Sequence, residues 1–241
     1  MNTLFSHVCV VTMDDRMSVW TDAFVGVTDG KISYLSKHAP EEKPAQIIDA
    51  TGMVLMPGLI NCHTHLPMQL LRGYADDLKL QEWLNDYIFP REDRLDGRCV
   101  RAATTLAVAE CLKFGVTSVS DMYYFCDDIC DVIAKSGMKA NISRGTSMFL
   151  GDDFDFEKFP ACQELVALKE KWHNYDGGRI KIEASIHAEY TSTYQLWDAL
   201  SEFCINEGIG MQVHVSETKL EHDQCVERYG LTPAQVLDCH H

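Results

Sequence analysis

Several features that would assign a chain to common classes are missing from this 241-residue sequence. It contains no run of about 18 apolar residues, so it predicts no transmembrane helix. Its first residues have neither the basic start nor the apolar stretch of a secretion signal. Positive charge is scarce, since 21 lysines and arginines against 36 acidic residues give a formal charge of −15. That excess of negative charge argues against nucleic acid as a partner.

The ten cysteines also lack the spacing of a common metal or redox motif, because no two of them form a C-x-x-C pair. Without a secretion signal, they are expected to be reduced and mostly buried thiols. We therefore expect a cytoplasmic protein that binds neither nucleic acid nor a membrane. The hydrophobic share of 46% is ample for a folded core, in one or two domains.

The first part of the chain, residues 1–55, is rich in β-forming residues. Asp29-Gly30 lies between two of the β-rich segments and is a strong signal for a hairpin turn. We interpret residues 1–55 as a small antiparallel β subdomain that is part of a composite β-sandwich. The predicted strands cover residues 3–12, 23–28, 31–35 and 46–55.

The pattern changes over residues 56–241, where short apolar strands alternate with helical stretches. Such alternation predicts parallel βαβ units in an α/β fold. We expect an incomplete TIM-type (β/α) barrel with about five of its eight strands. The predicted strands are 57–62, 115–121, 139–144, 179–187 and 209–216. The predicted helices are 97–114, 126–136, 155–174, 193–207 and 217–229.

The most informative segment, residues 56–65, reads as a short apolar strand ending in two histidines. Successive side chains of a strand alternate between its faces, so His63 and His65 project to the same side. They can therefore offer two imidazoles to one metal ion. A His-x-His pair alone is more often incidental, but the Pro-Gly pair and the apolar strand before it favour the metal interpretation.

Polar side chains also lie near the ends of the other predicted strands, where (β/α) barrels carry their chemistry. Any one of them is more often structural, but their coincidence favours a site. Imidazoles suit zinc, which ionises bound water near pH 7, and a nearby carboxylate can then move protons. These strand-end residues are Asp121, Arg144, His187 and His214, with Glu217 just beyond the last strand.

Together these segments resemble the amidohydrolase superfamily, a family of metal-dependent hydrolases. They most resemble its branch of 5-methylthioadenosine/S-adenosylhomocysteine deaminases, which is related to the triazine hydrolases. The resemblance extends from the first barrel strand to the end of the sequence. The segments that carry it are residues 57–65, 70–78, 82–84, 90–93, 120–123, 143–145 and 213–218.

The resemblance implies that His63, His65 and His214 hold one metal ion per site. That ion is usually zinc, with Fe²⁺ or Mn²⁺ as alternatives. It also implies that Glu217 carries protons to the purine ring and to the leaving ammonia, and that His187 faces the substrate beside the metal. The implied reaction converts a purine nucleoside to its inosine form.

The resemblance further implies that Trp83 and Glu92 contact the nucleoside, with Glu92 accepting hydrogen bonds from ribose hydroxyls. Without it, Trp83 would be assigned to helix packing and Glu92 to a solvated surface. Arg144 matches a residue that pairs with the carboxylate of a homocysteine tail. Residues 151–156 contain no second arginine, so methylthioadenosine or adenosine is at least as favoured as S-adenosylhomocysteine.

Two alternatives stay open beside this deaminase interpretation. The family places another histidine on its sixth strand and an aspartate on its eighth, and the sequence stops before both. The chain is then a truncated or split fragment that needs a C-terminal partner and is nearly inactive alone. The other alternative is a triazine or guanine-type specificity. The expected partners are a small-molecule substrate and either a second copy of the chain or a missing C-terminal half.

Overall fold

The computed structural model describes residues 1–149, 151 and 153–240. The chain divides into two compact units, Met1–Gly58 and Leu59–His241. None of the helices in the described residues combines the length and the hydrophobicity of a membrane span. The strands of the first unit are β1 (Thr3–Val11), β2 (Val19–Thr28), β3 (Lys31–Ser36), β4 (Gln46–Asp49) and β5 (Val54–Leu55).

The first unit is a five-stranded sheet in the order β3-β2-β1-β4, with β5 also paired to β1. The pairs β1–β2 and β2–β3 are antiparallel, whereas β4 and β5 run parallel to β1. The sheet is therefore mixed rather than wholly antiparallel. The strand expected over 46–55 is split into β4 and β5, because Asp49 accepts hydrogen bonds from the backbone and hydroxyl of Thr51 and closes a turn.

The expected hairpin joins β2 to β3 and places Thr28 opposite Lys31. Its two turn residues, Asp29 and Gly30, have φ angles of 49° and 74°. Positive φ at both positions is what a two-residue hairpin turn of type I′ requires, and the Asp-Gly pair suits it. The core of this unit consists of the buried residues Val8, Val10, Ala23, Val25 and Ala50.

The second unit contains a parallel sheet in the order β10-β9-β8-β7-β6. Strands that follow one another in the chain are neighbours in space, which gives a curled half-barrel of five strands and confirms the expected fold. The strands are β6 (Leu59–Thr64), β7 (Val116–Tyr123), β8 (Lys139–Arg144), β9 (Ile180–Ala188) and β10 (Met211–His214).

The helices of the second unit surround this sheet. Between β6 and β7 lie α1 (Leu80–Glu82), α2 (Phe89–Glu92) and α3 (Gly97–Lys113), with a π-helical turn (Trp83–Ile88) joining α1 to α2 and a 3₁₀ turn (Leu66–Leu71) directly after β6. The later helical segments are α4 (Cys126–Ser136), α5 (Pro160–Trp172), α6 (Tyr175–Gly178), α7 (Tyr194–Glu207), α8 (Lys219–Tyr229) and α9 (Pro233–Asp238). The largest hydrophobic core lies between these helices and the sheet, with isoleucines 142, 180, 182 and 186 fully buried on β8 and β9.

Some boundaries differ from the sequence-based expectations for local reasons. Helix α5 begins at Pro160 rather than at residue 155, because proline fits the first turn of a helix and not its interior. Helix α8 begins after Thr218, whose hydroxyl accepts the backbone N–H of Glu221 as an N-cap. Strand β7 continues to Tyr123, so Asp121 lies inside the strand rather than at its end.

Arg179, immediately before β9, ties the end of α4 to the sheet. Its guanidinium donates to the carbonyl oxygens of Ile133, Ala134 and Met138 at 3.2, 3.0 and 2.9 Å. It also donates to Asp176 at 2.8 Å. Carbonyl groups at a helix C-terminus have no partner within the helix, so the arginine satisfies groups that the packed interior would otherwise leave unpaired.

We expect Arg179→Lys to lower the free energy of unfolding by about 1–3 kcal/mol, because a single ammonium cannot reach all three carbonyls. Urea denaturation of the chain measures this change. The matched control is Arg98→Lys at an exposed position of α3, which should change stability by less than about 0.5 kcal/mol. Equal effects of the two substitutions would contradict the assigned role.

Candidate metal and substrate site

A cavity of about 210 Å³ lies beside the C-terminal ends of the half-barrel strands. His63 lies on β6 and His65 directly follows it, while His214 ends β10. The parallel sheet thus brings residues from its first and last strands to one place. Among the residues lining this cavity are His63, His65, Trp83, Glu92, His187, His214 and Glu217.

The three histidines expected to bind metal form one cluster. Each offers a ring nitrogen, and these atoms lie within 4.8 Å of one another. The ring centroids are 4.9 Å apart for His63 and His65, 5.0 Å for His63 and His214, and 5.2 Å for His65 and His214. The spacing of His63 and His65 in the sequence indicated this arrangement.

The hydrogen bonds of two of these rings fix their tautomers. The Nδ1 atom of His65 lies 2.6 Å from the carbonyl oxygen of Met122, and Nδ1 of His214 lies 2.8 Å from that of His187. A carbonyl oxygen only accepts, so both Nδ1 atoms carry a proton and donate. In the neutral rings, both Nε2 atoms are then bare, and they face each other at 3.3 Å.

Two facing lone pairs repel unless a cation lies between them. Burial lowers the pKa of His65 to about 4, which disfavours a proton on its Nε2. Neutral imidazoles with bare Nε2 atoms are the form that binds divalent metals, and a carbonyl behind Nδ1 is the usual way of orienting such a ligand. The three histidines therefore fit a divalent metal ion.

Asp121 has a different place from the one its position in the sequence suggested. It is fully buried, and its Oδ1 accepts hydrogen bonds from the Thr64 hydroxyl at 2.7 Å and from the Leu66 backbone at 2.6 Å. It therefore holds the residues on both sides of His65 and does not line the cavity. Burial raises the pKa of Asp121 to about 7.

His187 lines the cavity beside the three-histidine cluster. Its Nδ1 lies 2.9 Å from the Thr191 hydroxyl, and its ring centroid is 5.2 Å from that of His214. Burial lowers the pKa of His187 to about 4, so its ring is neutral near pH 7. Glu217 is exposed on the same cavity. The structure thus places both residues where their expected roles require, although those roles stay predictions.

Trp83 and Glu92 come to the cavity from the helical segment between β6 and β7. Trp83 begins the π-helical turn, and Glu92 ends α2. The Tyr123 phenol donates to Glu92 Oε1 at 2.6 Å, which leaves the second carboxylate oxygen without that constraint. Burial raises the pKa of Glu92, and the Tyr123 hydrogen bond partly offsets this effect. The sequence did not predict that Tyr123 donates to Glu92, although Tyr123 ends the segment 120–123 that carries the family resemblance.

Arg144, at the end of β8, lines an adjoining cavity of about 550 Å³ rather than the cavity that holds His63, His65 and His214. The two cavities share Glu92 and His187 in their walls. The Arg144 guanidinium pairs with Glu164 at 2.5 Å and lies over the Tyr124 ring, 4.8 Å from its centroid. Its expected role as the partner of a substrate carboxylate stays a prediction, and in this structure its Nε donates to Glu164.

The sequence of this chain is similar to those of known proteins. The profile of the Amidohydrolase family matches residues 54–241. The chain belongs to the amidohydrolase family. It is 36% identical over 207 residues to a 5-methylthioadenosine/S-adenosylhomocysteine deaminase of Dictyoglomus thermophilum, an alignment covering 86% of the chain and 47% of the relative. It is 35% identical over 236 residues to a 5'-deoxyadenosine deaminase of Methanosarcina acetivorans, covering 98% and 54%.

Solved structures resemble this chain in fold. An adenosine deaminase from Xanthomonas campestris with bound zinc matches at a TM-score of 0.89 and 29% identity, over 99% of this chain and 55% of that one. An atrazine chlorohydrolase from Arthrobacter aurescens complexed with zinc matches in fold at a TM-score of 0.87 and 22% identity, over 99% and 58%. This amidohydrolase thus spans about half the length of the curated relatives it matches. The sequence-based resemblance is confirmed.

We expect this chain to bind one divalent ion through the three histidines, measured by visible absorbance during titration with Co²⁺. His65→Ala should weaken the affinity by at least about 100-fold, the upper end of the effect of removing a residue that only supports a ligand. His38→Ala, at an exposed position of the first unit, is the control and should leave affinity unchanged. Equal affinities for all three proteins would contradict the assignment.

Proposed function

We propose that this chain forms part of a zinc-dependent aminohydrolase that deaminates a purine nucleoside. The nucleoside would be 5-methylthioadenosine, S-adenosylhomocysteine or adenosine, and the products would be its inosine form and ammonia. The observation that carries the proposal is the pair of bare Nε2 atoms of His65 and His214, which face each other at 3.3 Å. The deaminase names of the relatives support the reaction class.

The three histidines would hold the metal ion that activates water for hydrolysis. A metal ion held by His63, His65 and His214 would provide a water molecule that ionises near pH 7. Backbone carbonyls accept from Nδ1 of His65 and of His214, so each of these two rings, when neutral, presents a bare Nε2 to the ion. The site is preorganised by the sheet itself.

The remaining cavity residues would act on the nucleoside. Glu217 is an exposed carboxylate on the cavity and would carry a proton to the ring nitrogen and to the leaving ammonia. His187, neutral and hydrogen-bonded to Thr191, would face the amino-bearing edge of the base. Trp83 would lie against the base, and Glu92 would accept hydrogen bonds from ribose hydroxyls through the oxygen that Tyr123 does not hold.

The environment of Arg144 favours a substrate without a free carboxylate. Its guanidinium already pairs with Glu164, and residues 151–156, of which Asp152 lies outside the described residues, contain no second arginine. Methylthioadenosine or adenosine is therefore favoured over S-adenosylhomocysteine. A triazine or guanine-type specificity is the remaining alternative, and the Trp83 and Glu92 pair argues for a ribosylated substrate instead.

A specific observation also supports the alternative of a fragment that is inactive alone. Every residue of the edge strand β6 is at least partly exposed, including Leu59 at 50% and Ile60 at 68%. An apolar edge of a parallel sheet normally pairs with another strand. We infer that a C-terminal half-barrel, supplied by a longer chain or by a partner, would cover this edge and complete the site.

We expect the 241-residue chain alone to release negligible ammonia from 5-methylthioadenosine in the presence of Zn²⁺, because the site is open along β6. A turnover approaching the usual enzyme range of about 1–1000 per second would contradict this inference.

The genomic DNA after codon 241 gives an independent check. An in-frame continuation that encodes a histidine-bearing strand and a Thr-Asp-Gly-like segment supports the larger enzyme, whereas an immediate stop codon supports an independent fragment.

In the protein expressed from its native reading frame, we expect Glu92→Gln to raise KM for nucleosides by about 10-fold, since hydrogen bonds to a charged acceptor contribute about 1.5–3 kcal/mol. KM for the corresponding free bases should change much less, because they lack the ribose. Steady-state kinetics on both substrate classes measures the difference. Asp86→Asn, at an exposed position of the same helical segment, is the control. Equal effects of Glu92→Gln on both classes would count against the nucleoside assignment.

A further inference from the structure

Glu221, on the first turn of α8, is a buried carboxylate that lies outside the cavity. Only 2% of the residue is exposed. Its Oε1 accepts the backbone N–H of Ser216 at 3.0 Å, and its Oε2 accepts that of Glu217 at 2.6 Å. Both oxygens of one side chain thus hold the short loop that runs from His214 to α8.

This loop has a backbone conformation that needs support. Ser216 has a φ of 54°, in the left-handed region that a residue with a Cβ rarely adopts. Such a conformation costs about 1–3 kcal/mol and persists where surrounding contacts impose it. The Thr218 hydroxyl also accepts the backbone N–H of Glu221 at 3.1 Å. The loop therefore donates hydrogen bonds to the side chain of Glu221 and accepts one from its backbone.

Within the described residues, no lysine, arginine or histidine forms an ion pair with Glu221, and Arg228 on the same helix pairs with Glu189. Burying a carboxylate without a cation is costly. The positive end of the α8 dipole and the two loop N–H groups are what offset that cost here. The carboxylate of Glu221 accepts hydrogen bonds from the loop that bears Glu217. Because burying this carboxylate costs free energy, these contacts indicate that Glu221 sets the geometry of the loop.

We propose that Glu221 is a positioning residue that holds Glu217 in place for proton transfer. It fixes the backbone at Ser216 and Glu217, and thereby the direction in which the Glu217 side chain leaves the loop toward the cavity. The inference rests on the proposed function, in which Glu217 carries the proton. Glu221 itself does not touch the substrate.

The kinetic test is a double-mutant cycle in the protein expressed from its native reading frame. Glu221→Gln keeps the shape but replaces one acceptor oxygen with a donor. We expect kcat for 5-methylthioadenosine to fall by at least about 10-fold, because misplaced proton-transfer groups lose much of their about 100-fold or larger contribution. KM and zinc content should change by less than about 2-fold.

In the Glu217→Gln background, the same Glu221→Gln change should lower the residual kcat by less than about 2-fold, because the group that it positions is gone. A general structural role would lower kcat equally in both backgrounds, and that result overturns the proposal. An unchanged kcat in the parent background overturns it as well. Glu227→Gln, exposed on the same helix, is the control and should leave kcat unchanged.

A second measurement on the 241-residue chain does not depend on activity. Amide hydrogen exchange should accelerate by at least about 10-fold at Ser216 or at Glu217 in Glu221→Gln, since the glutamine NH2 group can no longer accept one of the two backbone N–H groups. Unchanged exchange at both positions overturns the proposal, whether or not deaminase activity is found. Absence of activity with accelerated exchange would instead refute the proposed function and leave the positioning of the loop supported.

If Glu221→Gln does not fold, Glu221→Asp, which is too short to reach both N–H groups, serves the same comparisons.

Discussion

The geometry of the site depends on two backbone carbonyls that fix two imidazoles. Met122 on β7 orients His65, which follows β6, and His187 on β9 orients His214 on β10. In each case the acceptor belongs to the strand next to the one that brings the histidine. The register of the parallel sheet therefore determines where the two bare Nε2 atoms meet, and any change of register would separate them.

Two buried carboxylates support the segments that carry these histidines. Asp121 accepts the backbone N–H of Leu66 after His65, and Glu221 accepts those of Ser216 and Glu217 after His214. Each holds a segment at which a strand ends and the chain leaves the sheet. Buried carboxylates are costly, and both are placed where a loop must keep one conformation. Burying these two carboxylates therefore lowers the stability of the chain, and it does so next to the two edge strands that meet at the site.

The sequence was enough to predict the features that depend on local periodicity. Strand–helix alternation predicted the half-barrel, and the spacing of His63 and His65 predicted their shared face. The roles of Asp121, Glu221 and Tyr123 could not be predicted, because they depend on tertiary contacts. Asp121, for example, reaches Leu66 across 55 positions of the chain. A carboxylate in the sequence does not reveal whether it will face solvent, a metal ion or a backbone N–H group.

The most direct test of this account is the protonation state of the two facing rings. Long-range ¹H–¹⁵N spectra of the ¹⁵N-labelled, metal-free chain near pH 7 report which ring nitrogen carries the proton. We predict the Nδ1–H tautomer at both His65 and His214, and a shift of both Nε2 resonances when Zn²⁺ is added. Protonated Nε2 atoms in either ring, or Nε2 resonances that do not respond to Zn²⁺, would contradict the account.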